Sequence, residues 1–398
     1  MMVPYLYAKN AQKHSCFVMG NKYRKPIFLN QKIDDSHRLQ FEPQPVGNWP
    51  YHLPIERILP RAGIDMAERM VFHVIGDTGS LRPSRFQSIV SREISKQVQA
   101  DQSAFLYHLG DIVYDHGEAS EYARQFFRPY EHYPGAIFAL AGNHDADINP
   151  DSDVMYQSLD AFMDVFCDSE RRDISFSGGS RRKSMIQPNV YWTLETPLAN
   201  FIGLYPNVTK YGWISKEQEE WFEQELLWCQ AERESKALIV CLHHAPYSAD
   251  TNHGSSAEMI VMLERAFERT GVKPDLVLSG HVHNYQRFSK RYEDGTVVPY
   301  IVAGAGGYDG LHSVAMQDDP AVSSHWPVLE TVHLENYCDD RYGFMNLTLE
   351  KGKNGLFLTG AYYTIAPEAA EDDTVSATLF ERFVMPLRMG QPRMLKFY

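Results

Sequence analysis

No stretch of the 398-residue sequence approaches the roughly 18 consecutive apolar residues of a membrane-spanning helix. Basic residues are the next shortage. Lys and Arg number 38 against 51 Asp and Glu, and the formal net charge of −13 works against a long phosphate backbone, which needs a basic surface. A small anionic substrate stays open, because a local metal charge can outweigh that field. The five cysteines (Cys16, Cys167, Cys229, Cys241, Cys338) are scattered and odd in number, with no Cys-x-x-Cys, so neither a disulfide framework nor a zinc knuckle is expected. Cys241 lies in an apolar run and reads as a small core residue. Near the start, Lys9, Asn10, Gln12, Lys13 and His14 occupy the place where a secretory leader needs its apolar segment. The expected location is therefore cytoplasmic. Neither an internal repeat nor a low-complexity segment is visible.

What is present is enough for a large core, with 44% hydrophobic and 22% charged residues. The length accommodates two average domains, or one large α/β domain with extensions. Residues 1–69 carry Pro43, Pro45, Pro50, Pro54 and Pro60 with weak periodicity, which predicts an extended arm or accessory layer. Pattern sharpens in 70–362. Strands are predicted at 70–75, 104–109, 136–141, 190–195, 200–204, 237–242, 276–278, 297–303, 344–349 and 356–362, and helices at 84–98, 118–127, 154–166, 215–233 and 256–267. The first of those helices has Phe86, Ile89, Val90 and Ile94 as its apolar stripe. Helix 215–233 opens on Ser215 and Gln218, the spacing of a capping box, and its Trp221, Phe222, Leu226 and Trp228 read as packing residues. A less regular insertion covers 146–188. The extension at 363–398 holds the acidic Glu371-Asp372-Asp373 and a basic tail.

Strand and helix alternate through 70–141, which implies parallel βαβ units in an α/β fold. Ligand sites of such sheets lie outside the carboxyl ends of the strands. Those ends carry Gly76-Asp77, Gly110-Asp111-Ile112-Val113-Tyr114, Gly142-Asn143-His144-Asp145, His243-His244 and Gly280-His281-Val282-His283. In a regular strand His281 and His283 would face opposite ways, but Ser279-Gly280 lets the chain turn and aim both at one site. Together Asp77, Asp111, Tyr114, Asn143, His243, His281 and His283 offer oxygen and nitrogen donors suited to iron, zinc or manganese, unlike calcium or thiolate sites. Seven donors exceed one tetrahedral zinc. They suit two metals if one carboxylate bridges, and metal pairs clamp a phosphoryl group during in-line displacement.

In these ordered blocks, with Val240-x-x-His243, the sequence resembles the calcineurin-like metallophosphoesterases, and within them the purple acid phosphatases. The resemblance spans about 71–303. It implies a four-layer α/β/β/α sandwich of two mixed sheets. Most of that superfamily has Asp-x-His in the first block, where this chain has Asp77-Thr78-Gly79. Protein phosphatases place an aspartate where Tyr114 stands. Both departures are similar to the purple acid phosphatase pattern, in which the tyrosine replaces the missing histidine. Three hard anionic oxygens, from Asp77, Asp111 and a Tyr114 phenolate, favour a trivalent ion.

By position, the resemblance implies Fe(III) on Asp77, Tyr114 and His283. It places Fe(II), Zn(II) or Mn(II) on Asn143, His243 and His281, with Asp111 bridging. The implied reaction is hydrolysis of a small phosphate monoester, with metal-activated hydroxide attacking metal-bound phosphate. His144 would hold the phosphate and His253 would protonate the leaving group. Two rival functions stand beside it: a phosphodiesterase acting on nucleotides or phospholipid headgroups, and a non-catalytic metal-binding scaffold.

Blander readings exist for single residues. Any strand-end polar group can cap a following helix. Tyr114 can be a packed tyrosine, and His253 a plain loop residue. Of the pair His243-His244, spacing from Val240 selects His243 as the ligand. The loop Arg181-Arg182-Lys183 reads as a solvated segment, with a substrate clamp as its alternative. His73, His108, His116, His132, His312, His325 and His333 read as structural. Gly304 to Gly307 reads as a turn, because no helix with a cradling lysine follows it.

Overall fold

The computed structural model of the chain describes residues 21–30, 42–82, 85–206, 212–353, 355–370 and 374–387. The N-terminal residues that bear on a leader, Cys16, Ser84, the Glu371-Asp372-Asp373 segment and the basic tail lie outside the described residues.

The short strands β1 (Phe28–Leu29) and β2 (His52–Pro54) precede β3 (Arg69–Ile75), β4 (Phe105–His108) and β5 (Ala136–Ala139). Then come β6 (Trp192–Glu195), β7 (Ala199–Gly203), β8 (Ala237–Leu242), β9 (Leu276–Ser279), β10 (Tyr285–Arg291) and β11 (Val297–Ala303). The chain continues through β12 (Val322–Ser323), β13 (Val332–Cys338), β14 (Tyr342–Gly352), β15 (Gly355–Ile365) and β16 (Thr378–Pro386). One sheet has the order β13-β10-β11-β9-β8-β7-β6-β2 and the other β16-β15-β14-β3-β4-β5, while β1 pairs with β12 alone. Both large sheets are mixed. In the first, β11-β9-β8-β7 run parallel between antiparallel neighbours. In the second, β3-β4-β5 are parallel and β14, β15 and β16 pair antiparallel.

Aromatic side chains hold the sheets face to face. Phe72 on β3 meets Phe201 on β7 edge-on at 5.1 Å, and Phe138 on β5 lies 5.7 Å from Trp192 on β6. All four are fully buried. At about 25 cal/mol per Å² of apolar area removed from water, such rings dominate the cohesion of the sandwich. Helix Arg85–Asp101 buries Ile89, Val90 and Ile94, as the sequence pattern predicts, and its Asp101 takes a hydrogen bond from Asn346 of β14. Helices Lys216–Gln230 and Ala257–Thr270 are tied to each other by Arg265–Glu219 and Arg269–Glu223 ion pairs. Ser215 caps the former by accepting from Gln218 N–H at 3.3 Å. The reciprocal half of a capping box is absent, because the Gln218 amide is spent on the Tyr205 backbone. Cys241 is fully buried in β8.

Two expectations need correction, and several strands lie outside those predicted. The helix predicted over 154–166 is only Asp160–Phe166. Leu159 sits at φ 67°, which stops a helix, and Met155 is 98% exposed, so no buried face exists upstream. Strands β10, β13 and β16 lie outside the predicted set, although in β13 the buried Val332 and Leu334 alternate with the exposed His333 and Glu335. In β10 the buried Gln286 and Lys290 break the apolar pattern, and each is satisfied by a distant side chain or backbone group. Arg181 and Lys183 are exposed, as expected of a solvated loop, but Arg182 is half-buried. Its guanidinium is directed at the carbonyls of Tyr130, Tyr133 and Gly135. The proline-rich stretch supplies β2, which extends the eight-stranded sheet beside β6. Among the described residues, no helix is long and apolar enough to cross a membrane.

Candidate functional site

Strands β3, β4 and β5 of one sheet and β8 and β9 of the other all end at the same edge of the sandwich. Each runs into one of the polar blocks, so five loops from two sheets converge. The turns that make this possible are sharp. Asp77, Asp111 and His281 occupy left-handed backbone conformations at φ 58°, 53° and 66°. Each of these non-glycine residues costs on the order of 1–3 kcal/mol there, and such outliers gather at functional sites. Gly110, at φ 100°, permits an approach that a Cβ would obstruct at 2.6 Å from His243 Nδ1.

Two sets of donors result. In the first, Tyr114 Oη lies 3.3 Å from Asp77 Oδ1 and 3.2 Å from His283 Nε2, and that nitrogen is 3.6 Å from Asp77 Oδ1. In the second, His243 Nε2 lies 3.1 Å from Asn143 Oδ1, and ligand atoms of Asp111, His243 and His281 fall within 4.8 Å of one another. Asp111 Oδ2 stands between the sets, 2.8 Å from Tyr114 Oη and 3.3 Å from His243 Nε2. All seven sequence-predicted donors are therefore brought together.

The donors suit metal ions on grounds of their own. His243 and His283 each direct Nδ1 at a backbone carbonyl, of Leu109 (2.8 Å) and Gly310 (3.2 Å), leaving Nε2 facing the cluster. That is how ligating imidazoles are oriented. His281 Nε2 is buried with no hydrogen-bond partner among the described residues, a costly arrangement that a bound cation would repay. Asp111 has its other oxygen fixed by His144 N–H at 2.9 Å, and Asp77 accepts from His281 N–H with both oxygens.

The charges are strongly perturbed. Burial, supported by the Asp111 charge, pushes the Asp77 carboxyl well above its usual range despite His243. Burial also works against the Asp111 carboxylate, yet His243 and His144 hold it below its usual range. Burial, Asp111 and Asp77 together push the Tyr114 phenol up. His243 is buried and His144 half-buried, which disfavours their charged forms, but Asp111 outweighs this and raises both to about 9. Burial and neighbouring imidazoles drive His253 and His281 well down; His283 is likewise lowered by burial and His312. A metal cation would supply the positive charge that these carboxylates otherwise draw from protonated imidazoles.

His144 packs its ring 4.2 Å from that of Tyr114, and its Nδ1 is 2.7 Å from Asp115 O, which leaves Nε2 for the open side. The His253 ring lies 4.1 Å from that of His281 and 5.9 Å from that of His283. Several residues of the site were not legible as such. His312, read as structural, stacks on His283 at 4.3 Å. Tyr308 covers both Tyr114 (4.3 Å) and His283 (4.4 Å). Asp145 accepts from Gly142, Ile112 and Val113 N–H groups, pinning the second block to the third. Gln125 accepts from Tyr114 N–H at 2.9 Å and donates to Tyr114 O. Of these, Asp145 stands within Gly142-Asn143-His144-Asp145, where the strand-end pattern points to it.

Comparisons with known proteins agree with this geometry. Residues 70–285 match the family model described as calcineurin-like phosphoesterase. The chain is 35% identical over 116 residues to probable purple acid phosphatase 20 of Arabidopsis thaliana, covering 27% of this chain and 26% of that protein. It is 25% identical over 290 residues to Fe(3+)-Zn(2+) purple acid phosphatase 12 of the same plant, covering 67% of this chain and 56% of that protein. The chain thus spans at most about half the length of these curated relatives. Among solved structures, GAP50, described as the anchor in the inner membrane complex of Plasmodium, superposes with a TM-score of 0.51 at 14% identity. That match covers 82% of this chain and 90% of GAP50 and speaks for the fold alone. The family match opens just after the first residue of β3 and closes on the first residue of β10, enclosing every strand that delivers a metal donor, and the chain belongs to the calcineurin-like phosphoesterase family.

Proposed function

We propose that the chain hydrolyses phosphate monoesters at a dinuclear metal centre of the purple acid phosphatase kind. The observation that carries this reading is Asp111 Oδ2, set between the Tyr114 phenol and His243 so that one carboxylate can serve two ions. Asp77, Tyr114 and His283 would hold a ferric ion, and Asn143, His243 and His281 a divalent one. When bound, such a pair supplies positive charge for the phosphate and lowers the pKa of water toward neutrality.

The chain's own residues do the rest. His144, its Nδ1 engaged by Asp115 O at 2.7 Å, offers Nε2 to a phosphate oxygen. The water-derived hydroxide forms the new bond to phosphorus, the ester P–O bond breaks, and the departing oxygen takes a proton from His253. Burial and the neighbouring imidazoles lower the proton affinity of His253, so the proton it delivers is drawn from solvent as the anionic ester binds beside it. Parallel assays on aryl and alkyl monoesters, a nucleoside 2′,3′-cyclic phosphate and bis(4-nitrophenyl) phosphate test the reading. Monoester turnover that falls severely in His144→Ala at unchanged metal content supports it. Preferential diester turnover would turn the assignment to a phosphodiesterase, and no turnover with two metals bound would remove it.

A further inference from the structure

The segment between β8 and the helix starting at Ala257 carries His253 over the cluster, and a buried carboxylate of the same loop has no part in the chemistry above. Asp250 is fully buried. Its Oδ1 accepts from the backbone N–H of Asn252 at 2.7 Å and of His253 at 2.8 Å. Its Oδ2 accepts from Asn284 Nδ2 at 3.2 Å, one residue beyond the ligand His283. Asn252, so fixed, has its side-chain amide 3.1 Å from His312 Nε2, and Asn284 also donates to His312 O at 2.9 Å. One carboxylate therefore binds the His253 turn to the loop that bears His281 and His283, and the Asn252 and Asn284 amides extend the network to the wall formed by His312. The ends of the turn are secured independently. Ile27 N–H donates to Ser248 O and Ile27 O accepts from Ser255 N–H, both at 2.8 Å. Thr251 N–H also donates to Ser313 O at 3.0 Å, so removing the carboxylate would free the N–H groups of Asn252 and His253 without freeing the loop.

We propose that Asp250 is a positioning residue that sets the His253 imidazole against His281 and so governs proton delivery to the leaving group. Asp250 touches neither substrate nor metal ligand in this arrangement and acts through His253. The assignment rests on the reading of His253 given above. Proton delivery matters most where the departing oxygen is a poor leaving group, since the proton prevents a free alkoxide when the P–O bond breaks. A good leaving group such as 4-nitrophenolate departs without it.

The test compares wild type, Asp250→Ala, Asp250→Asn, His253→Ala and the Asp250→Ala/His253→Ala double variant, all metal-loaded, on 4-nitrophenyl phosphate and on glycerol phosphate. Metal content and a melting curve are recorded for each. Asp250→Ala is expected to lose about 100-fold in kcat on the alkyl ester but less than about 5-fold on the aryl ester, with both metals retained. Asp250→Asn keeps an acceptor for the two N–H groups and should recover most of the loss. The double variant should be no slower than His253→Ala, because residues acting as one unit are not additive. Equal losses on both esters, or additive losses, overturn the Asp250 assignment while leaving hydrolysis intact. If Asp250→Ala does not fold, Asp250→Ser takes its place: an alkyl-selective loss that adding His253→Ala does not deepen supports the proposal, and equal or additive losses overturn it. A wild type that hydrolyses neither ester, or a His253→Ala without selectivity, sinks the underlying reading and this proposal with it.

Discussion

The Tyr114 phenol donates to Asp111 Oδ2 at 2.8 Å, placing an ionisable oxygen against the carboxylate that lies between the two donor sets. If an Fe(III) ion takes the phenolic proton's place, the phenolate should give a visible charge-transfer band. Tyr114→Phe, loaded with iron, is expected to lose that band. Its persistence in the variant would show that another residue supplies the chromophore.

Asp111 faces both sets, so Asp111→Ala should lower occupancy at two positions, not one. Metal analysis after exhaustive dialysis is the check, with Asn143→Ala as the one-position comparison. Retention of two ions by Asp111→Ala would rule out a shared ligand.

Tyr114 is held from behind by Gln125, fully buried, whose amide engages both the N–H and the C=O of Tyr114 and also accepts from Ser80 N–H at 2.7 Å. Gln125→Leu strands these buried polar groups, at a cost of roughly 1–3 kcal/mol each. Urea denaturation should show the loss, and the visible band of the iron-loaded protein should shift. A stable variant with an unmoved band would mean that Tyr114 is seated by other contacts.

A pH effect on stability is expected far from the cluster. His52 Nε2 lies 2.8 Å from Glu225 and Nδ1 3.2 Å from Glu195. Burial lowers the imidazole's affinity for a proton, but the two carboxylates outweigh it and raise the pKa to about 9. The folded value exceeds the unfolded one, so the stabilisation is complete below about pH 6.5 and fades as pH rises through about 9. With partial solvent screening it amounts to on the order of 1–2 kcal/mol. Melting curves at pH 6 and pH 9.5 should differ by more in wild type than in His52→Gln, and equal differences would exclude His52 as the source.

The legible part of the site has a physical reason. Asp77, Asp111, Asn143, His243 and His281 each follow a short apolar run, and parallel strands deliver their carboxyl ends to one edge, so local pattern and global position coincide. His312 and Asp250 carry no such signal. They stand in irregular loops, and their part depends on Asn252 and Asn284, which only the folded chain brings near. Gln125 lies in a helical turn predicted from spacing, but nothing local says that its amide would serve Tyr114. Strand β10 hid for the converse reason: Gln286 and Lys290 are buried polar residues satisfied at a distance, which erases the period-two pattern. Arg182 misled because a basic triplet resembles a surface loop, whereas its guanidinium closes three backbone carbonyls.

The left-handed backbone at Asp77, Asp111 and His281 bears on how such a protein responds to redesign. Glycine at any of the three would relieve local strain while deleting a donor, so folding stability and donor identity pull in opposite directions there. A stabilisation campaign scored only on melting temperature would be drawn to these three positions and would return a sturdier, inert protein. Holding them constant during selection is the condition for gaining robustness without losing the centre.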